Sequence, residues 1–391
     1  MIRKVLWLAS WYPNPAEPVL GDFIQRHAKA VSLFVRADVI HVMQGGKDTS
    51  CQNIMIESAN GQLTETVCNF SFQKCGIAFA DKIRYNLKYL KFYTHVLKRY
   101  EQQHGKPDLI HVHVPMKAGL LAMKFAKRWN VPYIVSEQSS MYDYSDAGSF
   151  SRRSYFFRTN TAKIFRNAGV VTNVSGTIGK IIQELFQLKK IEAVHNVADT
   201  SFFFYKPKRI NKNFRWLHVS SLYMQKNIPG MLRAFAMLKE IKTDWELVIV
   251  GPVTESLRQL AVSLQLQDHI QFTGEIAYHK VAEEMQQADA FLLFSNHENF
   301  PCVIAEALCC GLPVVSSDAG GVKEAVNESN GMLVAREDEQ GLMNAVIAIS
   351  SNYNLYNRKK ISEVAMQKFS YETIGRKIIS IYQQALQGFN K

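Results

Sequence analysis

Short apolar segments alternate with longer stretches of helical spacing along this 391-residue chain, and few folds accommodate that alternation. Most of the short segments are continuous apolar runs, which are typical of parallel strands covered by helices on both faces. The predicted strands are 4–9, 37–42, 108–114, 133–136, 169–173, 215–219, 245–250, 270–273, 290–294 and 313–316. The pattern therefore predicts an α/β protein with two doubly wound, Rossmann-like domains.

The boundary between the two predicted domains lies in the polar, basic stretch 205–214, which contains Pro207. We expect an N-terminal domain of residues 1–205, a C-terminal domain of residues 206–372, and a last helix, 373–391, that crosses back to the first domain. Because doubly wound domains bind ligands beyond the carboxyl ends of their strands, two facing domains would share one cleft suited to two substrates.

Composition excludes a mostly disordered chain, since 47% of the residues are apolar and 20% are charged. The apolar run 5–9 is shorter than the core of a signal peptide, and no stretch approaches the length of a membrane-spanning helix. Six cysteines without the Cys-x-x-Cys spacing of zinc sites favour a reduced, cytoplasmic protein.

Segment 290–326 carries the most chemical information. Glu298 lies in a loop after a strand, and Pro301 occupies a favourable first position of a helix that ends at Gly311. An anion such as a diphosphate is favoured where unpaired amides and the helix dipole point out of this N-terminus. The amides concerned are those of Phe300, Cys302 and Val303. An ordinary helix terminus without a ligand is the alternative.

Glu298 and Glu306 lie eight residues apart. A continuous helix would separate them by about 12 Å along its axis, which exceeds the roughly 5 to 9.5 Å between the paired carboxylates of glycoside hydrolases. The two acids are therefore not expected to flank one bond, although they could hold separated parts of a long ligand. Taken alone, the spacing favours a loop acid and a helix acid in salt bridges.

Several motifs follow one another in this segment. They read Glu298-x-Phe300-Pro301, Glu306-Ala307, Gly311-x-Pro313-Val314-Val315 and Gly320-Gly321-x-x-Glu324. This series closely resembles the E-x7-E signature of the retaining glycosyltransferases of family 4, which have the GT-B fold. The resemblance implies that Glu306 binds the ribose of a nucleotide, that Glu298 contacts the donor sugar, and that the amides of 300–303 bind phosphate.

Further motifs extend the resemblance. Val219-Ser220-Ser221-Leu222 with Lys226-Asn227 is similar to a segment in which the lysine neutralises the leaving diphosphate, and Ser221 stands where many members have arginine. Ile270-x-Phe272-Thr273-Gly274 is similar to the strand before the nucleobase pocket, which implies a base near Gly274 and Ile276. Pro18-x-x-Gly21-x-Phe23 looks like the first glycine loop of the family, where Gly21 would let the backbone approach the donor. A lone glycine before a helix is otherwise a simple turn.

Strand ends in the first domain supply candidates that would position the acceptor or the sugar. His113 lies at a strand tip, whereas His111 is expected to pack within the strand. The next strand ends in a segment similar to the E-H-x-S site of the family, with Gln138 in place of the histidine. Because glutamine forms hydrogen bonds but carries no proton, Gln138 is expected only to position a sugar.

The sequence contains no Asp-x-Asp pair and no histidine-rich cluster. We therefore expect no metal at the diphosphate and no cofactor, with a UDP- or GDP-linked sugar as substrate. Lys226, the helix terminus and backbone amides would stabilise the charge on the leaving phosphate. The resemblance implies net retention at the anomeric carbon.

Two basic stretches lie in the predicted acceptor domain. Residues 81–128 hold eleven Lys or Arg against three acids, and residues 151–166 hold five without an acid. Anionic membranes attract such clusters, which favours a peripheral enzyme at the inner face of the cytoplasmic membrane. Its acceptor would be a glycan or a lipid-linked saccharide in cell-surface polysaccharide or glycolipid synthesis. Solvated helix faces explain the same composition.

The sequence also bears on three other classes of function. The sequence pI near 9.3 permits a nucleic-acid-binding protein, but no motif for nucleic acid occurs, so none is expected as a partner. A nicotinamide dehydrogenase would need a Gly-x-Gly-x-x-Gly fingerprint after the first strand, and that fingerprint is absent. A sugar-nucleotide epimerase of the same fold and a membrane-binding protein without catalysis are the alternatives that stay open.

Overall fold

The computed structural model describes residues 2–45, 50–58, 61–139, 141–142, 149–208 and 212–389. The chain divides into two compact units. Unit 1 comprises Met1–Val174, Gly179–Val194 and Ile374–Lys391, and unit 2 comprises Ser175–Ile178 and His195–Thr373. The chain passes into unit 2 before the basic stretch 205–214, and its C-terminal residues belong to unit 1.

Unit 1 contains a largely parallel sheet. Its strands are β1 (Lys4–Ala9), β2 (Arg36–Gln44), β3 (Ser50–Ser58), β4 (Gly61–Phe70), β5 (Leu109–His113), β6 (Tyr133–Glu137), β7 (Val170–Asn173) and β8 (Glu192–Ala193). They follow the order β3-β4-β2-β1-β5-β6-β7-β8, in which β3 and β4 are antiparallel. The order from β4 to β7 is that of a doubly wound sheet, whose strand order reverses between β1 and β5.

Unit 2 contains a second doubly wound sheet, and its strand pairs are parallel. Its strands are β9 (Phe214–Val219), β10 (Trp245–Val250), β11 (Ile270–Gly274), β12 (Ala290–Leu293), β13 (Val314–Ser317) and β14 (Gly331–Val334). The order β11-β10-β9-β12-β13-β14 reverses between β9 and β12. Ligands of such sheets bind at this switch point, beyond the carboxyl ends of the strands.

Helices connect the strands in both units. They are α1 (Asp22–Ser32), α2 (Ala78–His104), α3 (Ala118–Trp129), α4 (Tyr155–Arg166), α5 (Gly176–Phe186), α6 (Ile228–Lys239), α7 (Glu255–Ser263), α8 (Tyr278–Gln287), α9 (Cys302–Cys309), α10 (Glu339–Ser351), α11 (Arg358–Phe369) and α12 (Tyr371–Phe389). Within the described ranges, none of these helices combines the length and apolarity that crossing a bilayer would require.

The central strands confirm the interpretation of the continuous apolar runs. Every residue of β5, β6, β12 and β13 is buried, as expected where helices cover both faces of a sheet. In unit 2 the rings of Trp216, Phe235 and Trp245 form edge-to-face contacts at the centre of the apolar core. The ten predicted strands all occur in the structure, with ends that differ by at most two residues.

Four strands were not predicted. Strands β3 and β4 contain many polar residues and lack the long continuous apolar runs that are typical of buried parallel strands. Strands β8 and β14 are also short, with two and four residues. Across the β3–β4 pair, Cys51 and Cys68 form a disulfide. The expectation that all cysteines are reduced was therefore wrong for this pair.

The C-terminal helix is anchored in unit 1 through Tyr382. The Tyr382 hydroxyl accepts a hydrogen bond from Nε1 of Trp7 at 3.1 Å and donates to Nδ1 of His111 at 2.8 Å. Nε2 of His111 lies 2.7 Å from Oγ of Ser136. His111 is therefore packed within the sheet, as its position in the strand predicted.

Candidate functional site

The loops that follow β9 and β12 meet at the switch point of unit 2. The amide of Asn296 donates to the carbonyl of Gln225 at 2.7 Å, which ties the two loops together. Nζ of Lys226 lies 2.5 Å from Oε1 of Glu298, and these side chains are 12% and 8% exposed. The structure thus brings both predicted catalytic residues into contact. Because an ammonium group has three donors, Lys226 can bind a second anion while it stays on Glu298.

A histidine shapes the turn after β9. Nδ1 of His218 donates to the carbonyl of Leu292 at 2.9 Å, and its Nε2 accepts from Oγ of Ser220 at 2.8 Å. Oγ of Ser220 in turn accepts from the amide of Leu222 at 3.1 Å. Burial, helped by the nearby charge of Lys226, lowers the pKa of His218 to about 4. The ring is thus neutral near pH 7, and the turn that it holds leaves the predicted donor residue Ser221 exposed.

The turn at Phe300 packs against side chains of the same unit. The carbonyl of Phe300 accepts from Nδ2 of Asn196 at 2.7 Å, and its ring stacks on His195 with centroids 4.4 Å apart. The ring of Phe369 lies 5.6 Å from that of Phe300. Only 3% of Phe300 is exposed. The ring of Phe300 is therefore packed within unit 2 and is not available to a ligand.

Helix α9 begins one residue later than predicted. Pro301 is its N-cap, with an extended ψ of 123°, and Cys302 is its first residue. The carbonyl of Pro301 accepts from the amide of Ile304 at 3.2 Å. Among the described residues, no carbonyl pairs with the amide of Val303, as expected in a first helical turn. Gly311 follows the C-cap with φ 75°, which confirms the predicted end of the helix.

The second acid of the predicted pair lies close to the predicted base pocket. Glu306 is 2% exposed in α9, and its Oε1 accepts from the hydroxyl of Tyr278 at 2.8 Å. Tyr278 opens α8 two positions after Ile276 and is 38% exposed. Gly274 has φ 75°, and a Cβ there would have no neighbour within 4 Å. Sequence reasoning missed Tyr278, although its place just after Ile276 was a usable signal.

Two glycines fix the position of the loop that carries Glu298. Gly320 has φ 59°, and a Cβ on it would lie 1.8 Å from the carbonyl oxygen of Glu298. The amide of Gly321 donates to the carbonyl of Asn299 at 2.8 Å. Since no side chain fits between these backbones, the glycine pair places the acid that contacts Lys226.

Replacing Gly320 by alanine is expected to lower the free energy of unfolding of unit 2 by about 2 to 4 kcal/mol, because the loop of Glu298 must move. Gly274→Ala is the matched control. It has the same left-handed backbone but open space around it, so about 1 kcal/mol is expected. Urea unfolding followed by tryptophan fluorescence measures both. Equal losses in the two variants would contradict the role assigned to the close approach.

Glu324 ends the motif series of segment 290–326, and its side chain caps a helix. Its carboxylate accepts from the amides of Gly176 and Thr177 at 3.0 Å each and from Oγ1 of Thr177 at 3.1 Å. These amides open α5, where a carboxylate satisfies unpaired donors and the helix dipole. Glu324 therefore has a structural role, as the cap of α5.

In unit 1, the loop after β1 carries Gly21. Its φ is 69°, and a Cβ on it would lie 2.8 Å from the carbonyl carbon of Trp11. The glycine is therefore required by a contact within the chain itself. Its predicted contact with the donor stays a prediction.

The predicted positioning residues of unit 1 lie in a buried polar cluster. His113 is 0% exposed, its ring stacks on Trp7 at 4.0 Å, and burial lowers its pKa well below the usual range. Gln138 is 8% exposed, and its Nε2 donates to Nδ1 of His27 at 3.1 Å. Sequence reasoning missed His27, which α1 brings to this place. Contact of His113 or Gln138 with a sugar stays a prediction.

Glu137 organises the loop that contains Gln138. Its buried carboxylate accepts from the amides of Gln138 and Ser139 at 2.8 Å each and from the hydroxyl of Tyr142 at 2.7 Å. Burial raises the pKa of Glu137 to about 7, although these hydrogen bonds oppose the shift. The group is therefore partly protonated near neutral pH.

The Glu137→Gln variant is expected to gain stability relative to the wild type as the pH rises. The raised pKa of Glu137 stabilises the fold fully below the ordinary value of 4.5, and this stabilisation is lost as the pH rises through about 7. The difference in the free energy of unfolding between the variant and the wild type should change by up to about 3 kcal/mol over that pH range. Urea unfolding at a series of pH values measures it. A difference that does not depend on pH would contradict the raised pKa.

Comparisons with known proteins agree with this geometry. Residues 61–202 match the family model described as Glycosyltransferase Family 4. Residues 200–367 match the model described as Glycosyl transferases group 1. The chain belongs to the family 4 type of glycosyltransferases. The prediction drawn from the motif series is thereby confirmed at the level of the family.

Individual relatives of this glycosyltransferase are distant. N-acetyl-alpha-D-glucosaminyl L-malate synthase of Bacillus anthracis is 27% identical over 231 residues, which cover 56% of this chain and 60% of the relative. The chain thus spans less than two thirds of that relative. The putative teichuronic acid biosynthesis glycosyltransferase TuaC of Bacillus subtilis is 24% identical over 390 residues, which cover 95% of this chain and 93% of the relative.

Among solved structures, Anabaena Alr3699/HepE in complex with UDP-glucose superposes with a TM-score of 0.68 at 20% identity. The superposition covers 97% of this chain and 99% of that chain. Together with the two doubly wound sheets, this likeness confirms the predicted GT-B fold.

Proposed function

We propose that this glycosyltransferase moves a sugar, with retention of configuration, from a nucleotide-diphosphate donor to a hydroxyl of a glycan or lipid-linked acceptor. The observation that carries the proposal is the contact of Lys226 with Glu298 at the switch point of unit 2, beside the first turn of α9. Two relatives support it, since the structural relative was solved in complex with UDP-glucose and the name of TuaC assigns it to teichuronic acid biosynthesis.

Glu306 would bind the ribose of the donor. One of its oxygens accepts from Tyr278, which orients the carboxylate. A carboxylate accepts from both hydroxyls of a ribose diol, as acids in nucleotide-binding domains commonly do. The base would then lie against the open backbone at Gly274 and Ile276.

The diphosphate would lie against the start of α9. The amides of Phe300, Cys302 and Val303 and the positive end of the helix dipole favour an anion there. Lys226 would donate to the phosphate while Glu298 holds its ammonium group. These groups supply positive charge from the protein itself, so we propose a transfer that needs no added metal ion.

Catalysis would rest on stabilising the leaving phosphate. The bond from the anomeric carbon to the phosphate oxygen breaks, and negative charge develops on that oxygen next to Lys226. The acceptor hydroxyl forms the new bond on the same face of the sugar and passes its proton to the departing phosphate. Glu298 would contact the hydroxyls of the sugar. Net retention follows from attack on the leaving-group face.

A donor and acceptor panel with product analysis tests this function. The full chain is incubated with UDP- and GDP-linked sugars and with oligosaccharide or lipid-linked acceptors, with and without EDTA. We expect transfer from one donor, an unchanged rate in EDTA, and a product whose anomeric proton shows the coupling of the donor. Inverted product would contradict retention. Conversion of the donor sugar without any acceptor would instead show an epimerase.

A further inference from the structure

The exposed side of α2 carries a line of large apolar side chains. Phe79, Ile83 and Leu87 are spaced four residues apart, so they lie along one ridge of the helix. Their exposed fractions are 75%, 45% and 64%. Ile77, just before the helix, is 66% exposed. We call these four residues the apolar ridge, and aligned exposed side chains of this kind mark interaction surfaces.

Cations surround the apolar ridge. Lys82, Lys88 and Lys91 are exposed, and none of them forms a salt bridge in the portion of the chain that the structure describes. Lys91 stands at the next four-residue step of the ridge itself. Asp81, the acid nearest in sequence, is buried and lies 3.6 Å from Arg84. The surface around the ridge is therefore positively charged.

A second segment of unit 1 has the same character. Tyr155 and Phe156 open α4 and are 77% and 61% exposed. Arginines are exposed around this aromatic pair, namely Arg152, Arg153 and Arg158. Because α2 and α4 each follow a strand of the parallel series, both helices begin at the carboxyl edge of the sheet. Two apolar and basic segments thus share one edge of unit 1.

We propose that this edge of unit 1 docks on an anionic lipid bilayer. The apolar ridge and the aromatic pair enter the boundary between headgroups and acyl chains, and the lysines contact lipid phosphates. A second copy of the chain fits less well, because two such faces would bring lysines against lysines. The docking goes beyond the proposed transfer and does not depend on it, and it would bring a lipid-linked acceptor to the enzyme.

Sedimentation of the full chain with vesicles tests the docking. The vesicles contain phosphatidylcholine alone or phosphatidylcholine with roughly a quarter phosphatidylglycerol. We expect about 100-fold tighter binding to the anionic vesicles, as three lysines near the surface would produce. Binding should weaken by at least about tenfold between about 0.05 and 0.5 M salt. Failure to sediment with anionic vesicles at low salt would overturn the proposal.

A triple variant tests whether the apolar ridge is the surface that contacts the vesicle. Phe79→Ser, Ile83→Ser and Leu87→Ser together should weaken vesicle binding by at least about tenfold, since the apolar ridge is lost. A matched control replaces by serine three apolar residues of unit 2 with similar exposure, Ile241, Val262 and Leu355. We expect the control to bind vesicles as the wild type does. Equal losses in both variants, or no loss in the first, would contradict docking through the ridge.

Two further results separate the docking from its rivals. A dimer that the ridge variant abolishes, in a protein that binds no vesicles, would assign the surface to a second copy and overturn the proposal. The Glu306→Gln variant should bind vesicles normally, since Glu306 belongs to unit 2. Vesicle binding without any sugar transfer would support the docking while counting against the proposed function.

Discussion

Replacing Glu306 by glutamine is expected to weaken binding of the donor nucleotide by roughly 100-fold, because two charge-assisted hydrogen bonds to the ribose lose their anionic acceptor. The side chain is 2% exposed, so glutamine of the same shape keeps the packing of α9. Titration calorimetry with nucleoside diphosphates measures the change. Tyr278→Phe is the control, since it removes a hydroxyl from Glu306 but leaves the carboxylate, and less than about a tenfold change is expected.

A 2′-deoxynucleotide tests whether the loss of affinity in Glu306→Gln comes from the contact with the ribose. The wild type should bind the 2′-deoxy diphosphate about tenfold more weakly than the ribose form. In Glu306→Gln the preference for ribose should be much smaller, because the hydroxyl loses its anionic acceptor and keeps only a neutral amide. The same preference for ribose in both proteins would show that Glu306 binds something else.

Replacing Lys226 by methionine is expected to lower kcat/KM for sugar transfer by about 1000-fold, because the charge on the leaving phosphate loses its cation. Lys280→Met is the control. That lysine also pairs with an acid of unit 2, Glu283, but both side chains are about half exposed. The kcat/KM of Lys280→Met is therefore expected to equal that of the wild type. Steady-state kinetics on the active donor measure both variants. A Lys226→Met enzyme with wild-type turnover would contradict the assigned role.

A second substitution, at Glu298, shows whether Lys226→Met loses activity because the protein is less stable or because catalysis is impaired. Lys226→Met leaves Glu298 without its cation at 8% exposure, which should cost about 1 to 3 kcal/mol of stability. The double variant Lys226→Met and Glu298→Gln should recover that stability and stay inactive. Recovery of activity in the double variant would show that Lys226 acts only as a structural partner of the acid.

Most of the parallel strands were predictable, because buried parallel strands need continuous apolar runs such as those of β1 and β12. The antiparallel pair β3–β4 was not, since its many polar residues also suit a solvated segment. Pairing between Cys51 and Cys68 depends on the register of these strands. No spacing rule on a single sequence supplies that register.

Individual positions in the site were predictable where a motif carried them, and their contacts were not. Glu298 and Lys226 came from separate segments, and only the loops at the switch point place one on the other. Tyr278 and His27 belong to no motif and reach their partners through the packing of α8 and α1. Glu324 lay within a motif, but its role as a cap depends on where α5 begins.

The central claim is that a nucleotide diphosphate binds to unit 2 at the start of α9. Amide hydrogen exchange of the full chain, with and without a saturating nucleoside diphosphate from the binding panel, tests it most directly. We predict slower exchange in peptides that contain 298–306, 274–278 and 220–226, the segments assigned to phosphate, base and lysine. Binding that leaves these three segments unchanged and protects others would contradict the account.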